Sequence, residues 1–153
     1  MALDIDTLLN ELVSHALASG YFDAVNTHEP DNSPGNGLTC HVILDRVNPI
    51  NASGLDFTSV RAAFLFELIY PVTALPRDQG ENEIVKAMDS LMGLFTGDFT
   101  MGGNVRGVDV LGAYGEGMSA VAGYTSYDQG GSWYRNIEIT VPLIVDNVWE
   151  QVA

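Results

Sequence analysis

The sequence has a single cysteine, three histidines and only 6 Lys+Arg among 153 residues. One cysteine excludes an internal disulfide. Against 20 Asp+Glu, the few basic residues leave a formal charge of −14. That charge repels phosphates, and no basic patch with interleaved aromatics reverses it, so a nucleic-acid-binding surface is excluded. No apolar run approaches the roughly 18–20 residues that span a bilayer. The opening "MALDIDTLLNELVSHALASG" carries Asp4, Asp6 and Glu11 in place of a basic leader, which predicts a chain without a signal peptide. A P-loop motif is also missing.

What the chain does have is 46 % hydrophobic and 17 % charged residues. This is the composition of a globular protein, and the length suits one core, so a single domain over residues 1–153 is expected. Ile5, Leu8, Leu9, Leu12, Val13, Ala16 and Leu17 repeat at helical spacing, which predicts an amphipathic helix over 5–17. Asp4 or Asp6 can cap its start, and Gly20 its end. A short strand is expected at 21–25. From Leu38, residues alternate: Leu38, Cys40, Val42 and Leu44 share one face, Thr39, His41, Ile43 and Asp45 the other. A longer strand covers 57–70, with Val60, Ala62, Phe64, Phe66, Leu68 and Tyr70 on one face. A second helix is predicted over 82–95, with Asp78 or Asn82 as N-cap and Gly97 after its end. Strands are expected at 105–111, 119–125 and 133–145. Pro142 removes a ladder donor from the last, which argues for an edge position or a bulge there. The order is helix, three strands, helix, three strands, with short turns between consecutive strands. The fold class is therefore α+β, a mainly antiparallel β-sheet packed with two amphipathic helices.

The densest chemistry lies in "HEPDNSPGNGLTCH", residues 28–41. Its first ten residues are loop chemistry, longer than a tight hairpin needs. Cys40 and His41 are neighbours on a strand and so point to opposite faces, which prevents a Cys–His nucleophilic pair. Cys40 is expected in the core and His41 away from it. A metal reading would recruit His28, Glu29, Asp31 and His41, but their spacing lacks the i, i+4 or i, i+2 pattern that presets ligand geometry. His15 falls on the polar side of the first helix beside Glu11, and no second ligand cluster is evident. "GEGMSA", residues 115–120, has the dinucleotide-fingerprint form, but turn residues follow where a crossover helix should stand. A hairpin turn is expected instead. Trp133, Tyr134 and Trp149 suit either core or interface.

The stretches "SGYFDAVNTHEPDNSPGNGLTCHV", "ASGLDFTSVRAAFLFELIY", "GDFTMGGNVRGVDVLGAYGEG" and "YRNIEITVPLIVDNVWEQ" together resemble the tail terminator proteins of long-tailed bacteriophages. These are also called minor tail or tail-to-head joining proteins. The resemblance runs through nearly the whole chain. It implies a structural virion subunit, not an enzyme, that assembles into a hexameric ring on the last ring of major tail protein. Such a ring ends tube polymerisation and meets the head-completion (connector) complex, while DNA passes through its opening without specific binding. The implied location is the head-proximal end of the virion tail, with assembly in the host cytoplasm; no cofactor, metal or membrane is implied. The projecting loop at 28–37, with His28, Glu29, Pro30 and Asp31, and the terminal Trp149 are the expected interface residues. Two other readings stand beside this one. One is a small acidic metal-dependent hydrolase using His28, Glu29 and His41; the other is a non-viral protein-binding module.

Overall fold

The computed structural model describes residues 3–27, 37–51, 57–72, 77–126 and 133–150. Helix α1 (Ile5–Ser19) begins where Asp4 accepts the Thr7 backbone N–H and ends at Gly20, which takes a left-handed φ of 75°. Both caps are those the sequence predicts. Short strand β1 (Ala24–Asn26), β2 (Thr39–Ile50) and β3 (Phe57–Pro71) follow, then α2 (Arg77–Gly97), β4 (Gly107–Val108), β5 (Ser119–Ser126) and β6 (Trp133–Glu150). The expected order of elements is thus observed, and the fold is α+β.

The strands form one sheet in the order β1-β2-β3-β6-β4, with β5 also paired to β6 on the β4 side. All pairings are antiparallel except β1 with β2, which is parallel. Twelve residues separate β1 from β2, enough chain to return to the same direction where a tight turn could not. Both helices cover one face. Leu8, Leu12 and Ala16 of α1 and Ile84, Ala87, Leu91 and Phe95 of α2 meet Cys40, Val42, Phe64, Phe66, Leu68, Ile139 and Val141. Phe66 and Phe95 pack edge to face at 4.9 Å, which favours the attraction between ring edge and π-face.

Several expectations need correction. Strand β1 starts later than 21–25. Helix α2 starts at Arg77, so Asp78 and Asn82 lie inside it and neither is a cap, and Gly97 is its last residue. Leu17 and Val85, expected on apolar stripes, are exposed because each buried stripe is narrower than the apolar set. Leu44 is exposed beside a bulge: Asp45 is the extra residue between the Leu44–Phe64 and Arg46–Ala63 pairs. The strand expected at 105–111 is only two residues long. Asp109 takes the backbone N–H groups of Ala113 (2.6 Å) and Tyr114 (3.1 Å) and folds the chain back into a loop.

Pro142 is in neither predicted setting. It sits in β6, an interior strand, opposite Ala63 of β3. On the other side β5 pairs as far as Thr140 and β4 starts at Leu143. The Pro142 carbonyl accepts the Asp109 N–H at 2.8 Å, so the edge without a proline donor faces the seam between two partner strands. The ladder loses nothing there.

Truncating a side chain sealed between helix and sheet should leave a cavity. Leu12→Ala is expected to cost about 2–5 kcal/mol and lower Tm by roughly 5–15 °C. Leu17→Ala, on the same helix but 60 % exposed, should stay within about 0.5 kcal/mol. Thermal and urea unfolding of the two variants checks the assignment of the buried stripe.

Candidate functional site

The expected interface residues His28, Glu29, Pro30 and Asp31, and most of the loop at 28–37, lie outside the described residues. The hydrolase constellation of His28, Glu29 and His41 is described only at His41. That side chain is on the second face of the sheet, as expected, but it is buried there, with Asn26 Nδ2 3.5 Å from its Nδ1. Cys40 lies in the helix-side core as predicted. Burial, reinforced by the Glu67 charge, drives its thiol pKa far upward and leaves it without nucleophilic character.

Trp149, the remaining expected interface residue, is 41 % exposed near the end of β6. A bulge aims it. Thr58 pairs with Trp149 and Val60 with Val145, so Ser59 alone faces three residues of β6. Asn147 turns the chain there with a φ of 54°, a left-handed conformation that asparagine tolerates. The buried Ser59 hydroxyl accepts the Asn147 N–H (3.3 Å) and donates to Asp146 (2.9 Å). Arg106 then binds Asp146 with both Nε and Nη2 and donates to the Tyr114 hydroxyl at 3.2 Å. The pair ties the end of β6 to the segment after α2.

Two further arginines act similarly. Arg61, buried on the second face of the sheet, lies 3.5 Å from Asp109 and donates to the Glu116 carbonyl. It thereby holds the loop of residues 109–118 against the sheet. Gly112 has a φ of 82°, and a Cβ there would stand 2.5 Å from the Gly115 carbonyl oxygen, so this loop admits only glycine at that position. Strand β5 follows the loop directly, and no helix does. The expected hairpin turn is not found: β4 and β5 both pair with β6, one after the other along the same edge, and "GEGMSA" runs from the loop that joins them into β5, which is not a nucleotide cradle. Arg135 donates to both oxygens of Glu81 (2.9 and 3.0 Å) and stacks over Tyr124 at 5.0 Å. Among the described residues, ion pairs thus occupy three arginines.

The apolar surface gathers at the β5 edge. Val121, Tyr124 and Trp133 are 67 %, 64 % and 57 % exposed. Val121 pairs with Glu138 and Tyr124 with Arg135, so the edge shows an apolar side chain on each face of the sheet. Tyr70, Val72, Asp78, Glu81, Tyr124 and Trp133 line a cavity of about 670 Å³ against the start of α2. Among the described residues, no strand lies outside β5. None lies outside β2 beyond His41 either. Among the described residues, the sheet is open on both sides.

His15 overturns another expectation. It is buried between α1 and α2, stacked on Phe95, with Asp98 3.0 Å from Nε2. Glu11, His15 and Asp98 form a ligand-type cluster that sequence reading missed. The i, i+4 spacing of Glu11 and His15 was a signal for it, but Asp98 is distant in sequence and is brought in only by helix packing.

No family model and no curated protein matches the sequence. Among solved structures, the chain is similar to a sheath/tube terminator of an extracellular contractile injection system, PVC, in its extended state. The TM-score is 0.44 at 12 % identity, over 100 % of this chain and 62 % of that one. The chain spans less than two thirds of that protein's length, and a likeness this distant assigns no partner or activity.

The Arg106 pair predicts an acid-sensitive step. Burial raises the Asp146 pKa, but the hydrogen bonds from Arg106 and Ser59 outweigh burial and hold it below the usual 3.8. The unfolded chain then binds this proton more readily, so the stabilisation is complete above about pH 5 and fades as pH falls through the lowered folded-state value. Asp146→Asn should cost about 0.5–1 kcal/mol at pH 7, since both partners are about a third exposed and solvent-screened. Near pH 3 its difference from the parent should shrink. Urea unfolding at the two pH values measures this.

Proposed function

We propose that this chain is a tail-terminator-type structural subunit that assembles edge to edge into a hexameric ring at the end of a tail tube. The supporting observation is that, among the described residues, the sheet is open at both edges. A ring requires two different complementary patches on each copy, one for each neighbour. The outer edge of β2 beyond His41 and the outer edge of β5 offer main-chain donors and acceptors on opposite sides of one sheet. Val121, Tyr124 and Trp133 add apolar area to the second. Natural monomers blunt such edges with charge, proline or a bulge; β2 carries Asp45, Arg46, Pro49 and a bulge on its outer stretch, whereas β5 exposes valine and tyrosine.

On this reading the tube face meets the major tail protein and the opposite face a head-completion protein, at the head-proximal end of a virion tail. The loop carrying His28, Glu29, Pro30 and Asp31, together with Trp149, contributes contacts. DNA passes through the opening, and the charge of −14 keeps it from adhering. The role is structural, without catalysis or cofactor.

Electron microscopy of the purified chain, alone and with polymerising tail tubes, tests the proposal. The expected result is six-membered rings or capped tube ends with elongation arrested. Val121→Lys should abolish capping while changing stability by no more than about 0.5 kcal/mol, because the side chain is exposed. Chains that stay monomeric beside tubes that continue to lengthen would overturn it.

A further inference from the structure

The cluster between the helices has the makings of a cation site, independent of the assembly role. We propose that Glu11, His15 and Asp98 bind a divalent first-row transition-metal ion. Helix α1 places Glu11 and His15 one turn apart on the same face, the spacing by which helices present ligand pairs. Asp98 follows directly after α2. One ligand atom from each of the three lies within 4.8 Å of the others.

The histidine is prepared for this. Its Nδ1 is 2.8 Å from the Glu11 backbone carbonyl oxygen, which can only accept, so Nδ1 carries a proton. Phe95 stacks on the ring at 5.6 Å and 20° and fixes its plane. With Nδ1 committed and the residue 9 % exposed, Nε2 is aimed at the Asp98 carboxylate. A carbonyl that orients the far nitrogen of an imidazole is the arrangement found behind metal-bound histidines. Asp98 is oriented too: its Oδ1 accepts the Gly102 N–H at 3.1 Å, leaving Oδ2 toward His15.

Charge points the same way. Two carboxylates and one imidazole leave a negative excess, in a chain whose cations are few and three of whose arginines are already paired. One nitrogen with carboxylate oxygens suits zinc, iron or manganese better than calcium or magnesium, which take oxygen alone. Ligand distances of about 2.0–2.2 Å require these three atoms to draw together from within 4.8 Å of one another. The Asp98 side chain is 41 % exposed and gives the ion a path from solvent.

The test is a Zn²⁺ titration by calorimetry of the full chain, first stripped with chelator, with thermal unfolding alongside. The expected result is about one saturable ion per chain and a raised Tm. Glu11→Gln and Asp98→Asn each should weaken binding by at least the roughly 10–100-fold seen for lesser ligand-supporting changes. Both side chains are partly exposed, so these variants stay folded, and they are preferred to a change at the buried His15. Absence of saturable binding, or binding of equal strength in both carboxylate variants, would overturn the site. The second outcome would assign the zinc to diffuse surface acidity, and the first would leave His15 as a helix-to-turn hydrogen-bond partner of Asp98.

Discussion

The long antiparallel ladder between β3 and β6 is the element on which the rest of this structure depends. It runs from Phe57–Glu150 at one end to Pro71–Tyr134 at the other. Because it is central, its strands are covered on both faces for much of their length. Phe64, Phe66, Ile139 and Leu143 lie under the helices, while Ser59, Arg61, Ala63, Ile69 and Ile144 are buried on the other side. A sheet buried twice needs a second cover. The loop of residues 109–118 supplies part of it, and Arg61 is the polar group that secures this loop.

The three arginine pairs follow from that architecture. With so few cations, the chain places them where a loop, a bulge or a helix start must be fixed to the sheet. Arg61 holds the loop to β3, Arg106 holds the bulge of β6 to the segment after α2, and Arg135 holds the start of α2 to β6 through Glu81. Each guanidinium offers several donors in a fixed fork, so one residue can set both distance and orientation. The exposed pairs contribute modestly to stability. Their larger effect is to specify which segments meet.

Local pattern made the helices and long strands readable. The repeat at Leu8, Leu12 and Ala16 and the alternation through Val60–Tyr70 are short-range signals, and both were realised. The caps Asp4 and Gly20 were readable for the same reason. What could not be read depended on distant partners. The α2 start at Arg77 has no apolar period of its own; it is a turn set against Tyr70, where Gly80 permits close approach. The loss of the strand at 105–111 comes from Asp109 capturing backbone N–H groups. Pro142 is tolerated inside a sheet because two other strands happen to divide there. His15 reads as a surface residue because its apolar neighbour, Phe95, lies in the other helix and its acidic neighbour, Asp98, directly after it. As for the site, Trp149 was legible as an exposed aromatic, but the β5 edge was not, since its exposure follows from strand order alone.

The edge and the net charge impose opposite demands on any assembly of this chain. Copies each carrying −14 repel one another, and with three arginines held within the subunit few basic residues remain to bridge neighbours. An interface built on ion pairs is therefore disfavoured. Main-chain hydrogen bonding between sheet edges carries no net charge, and burial of valine, tyrosine and tryptophan is indifferent to it. Those are the resources left at β5 and at the outer edge of β2. Charge repulsion also penalises disordered clumping more than a closed arrangement, because a closed ring satisfies each edge once and holds the acidic surfaces apart at fixed distance. In any such assembly, an acidic composition thus favours contact through the backbone.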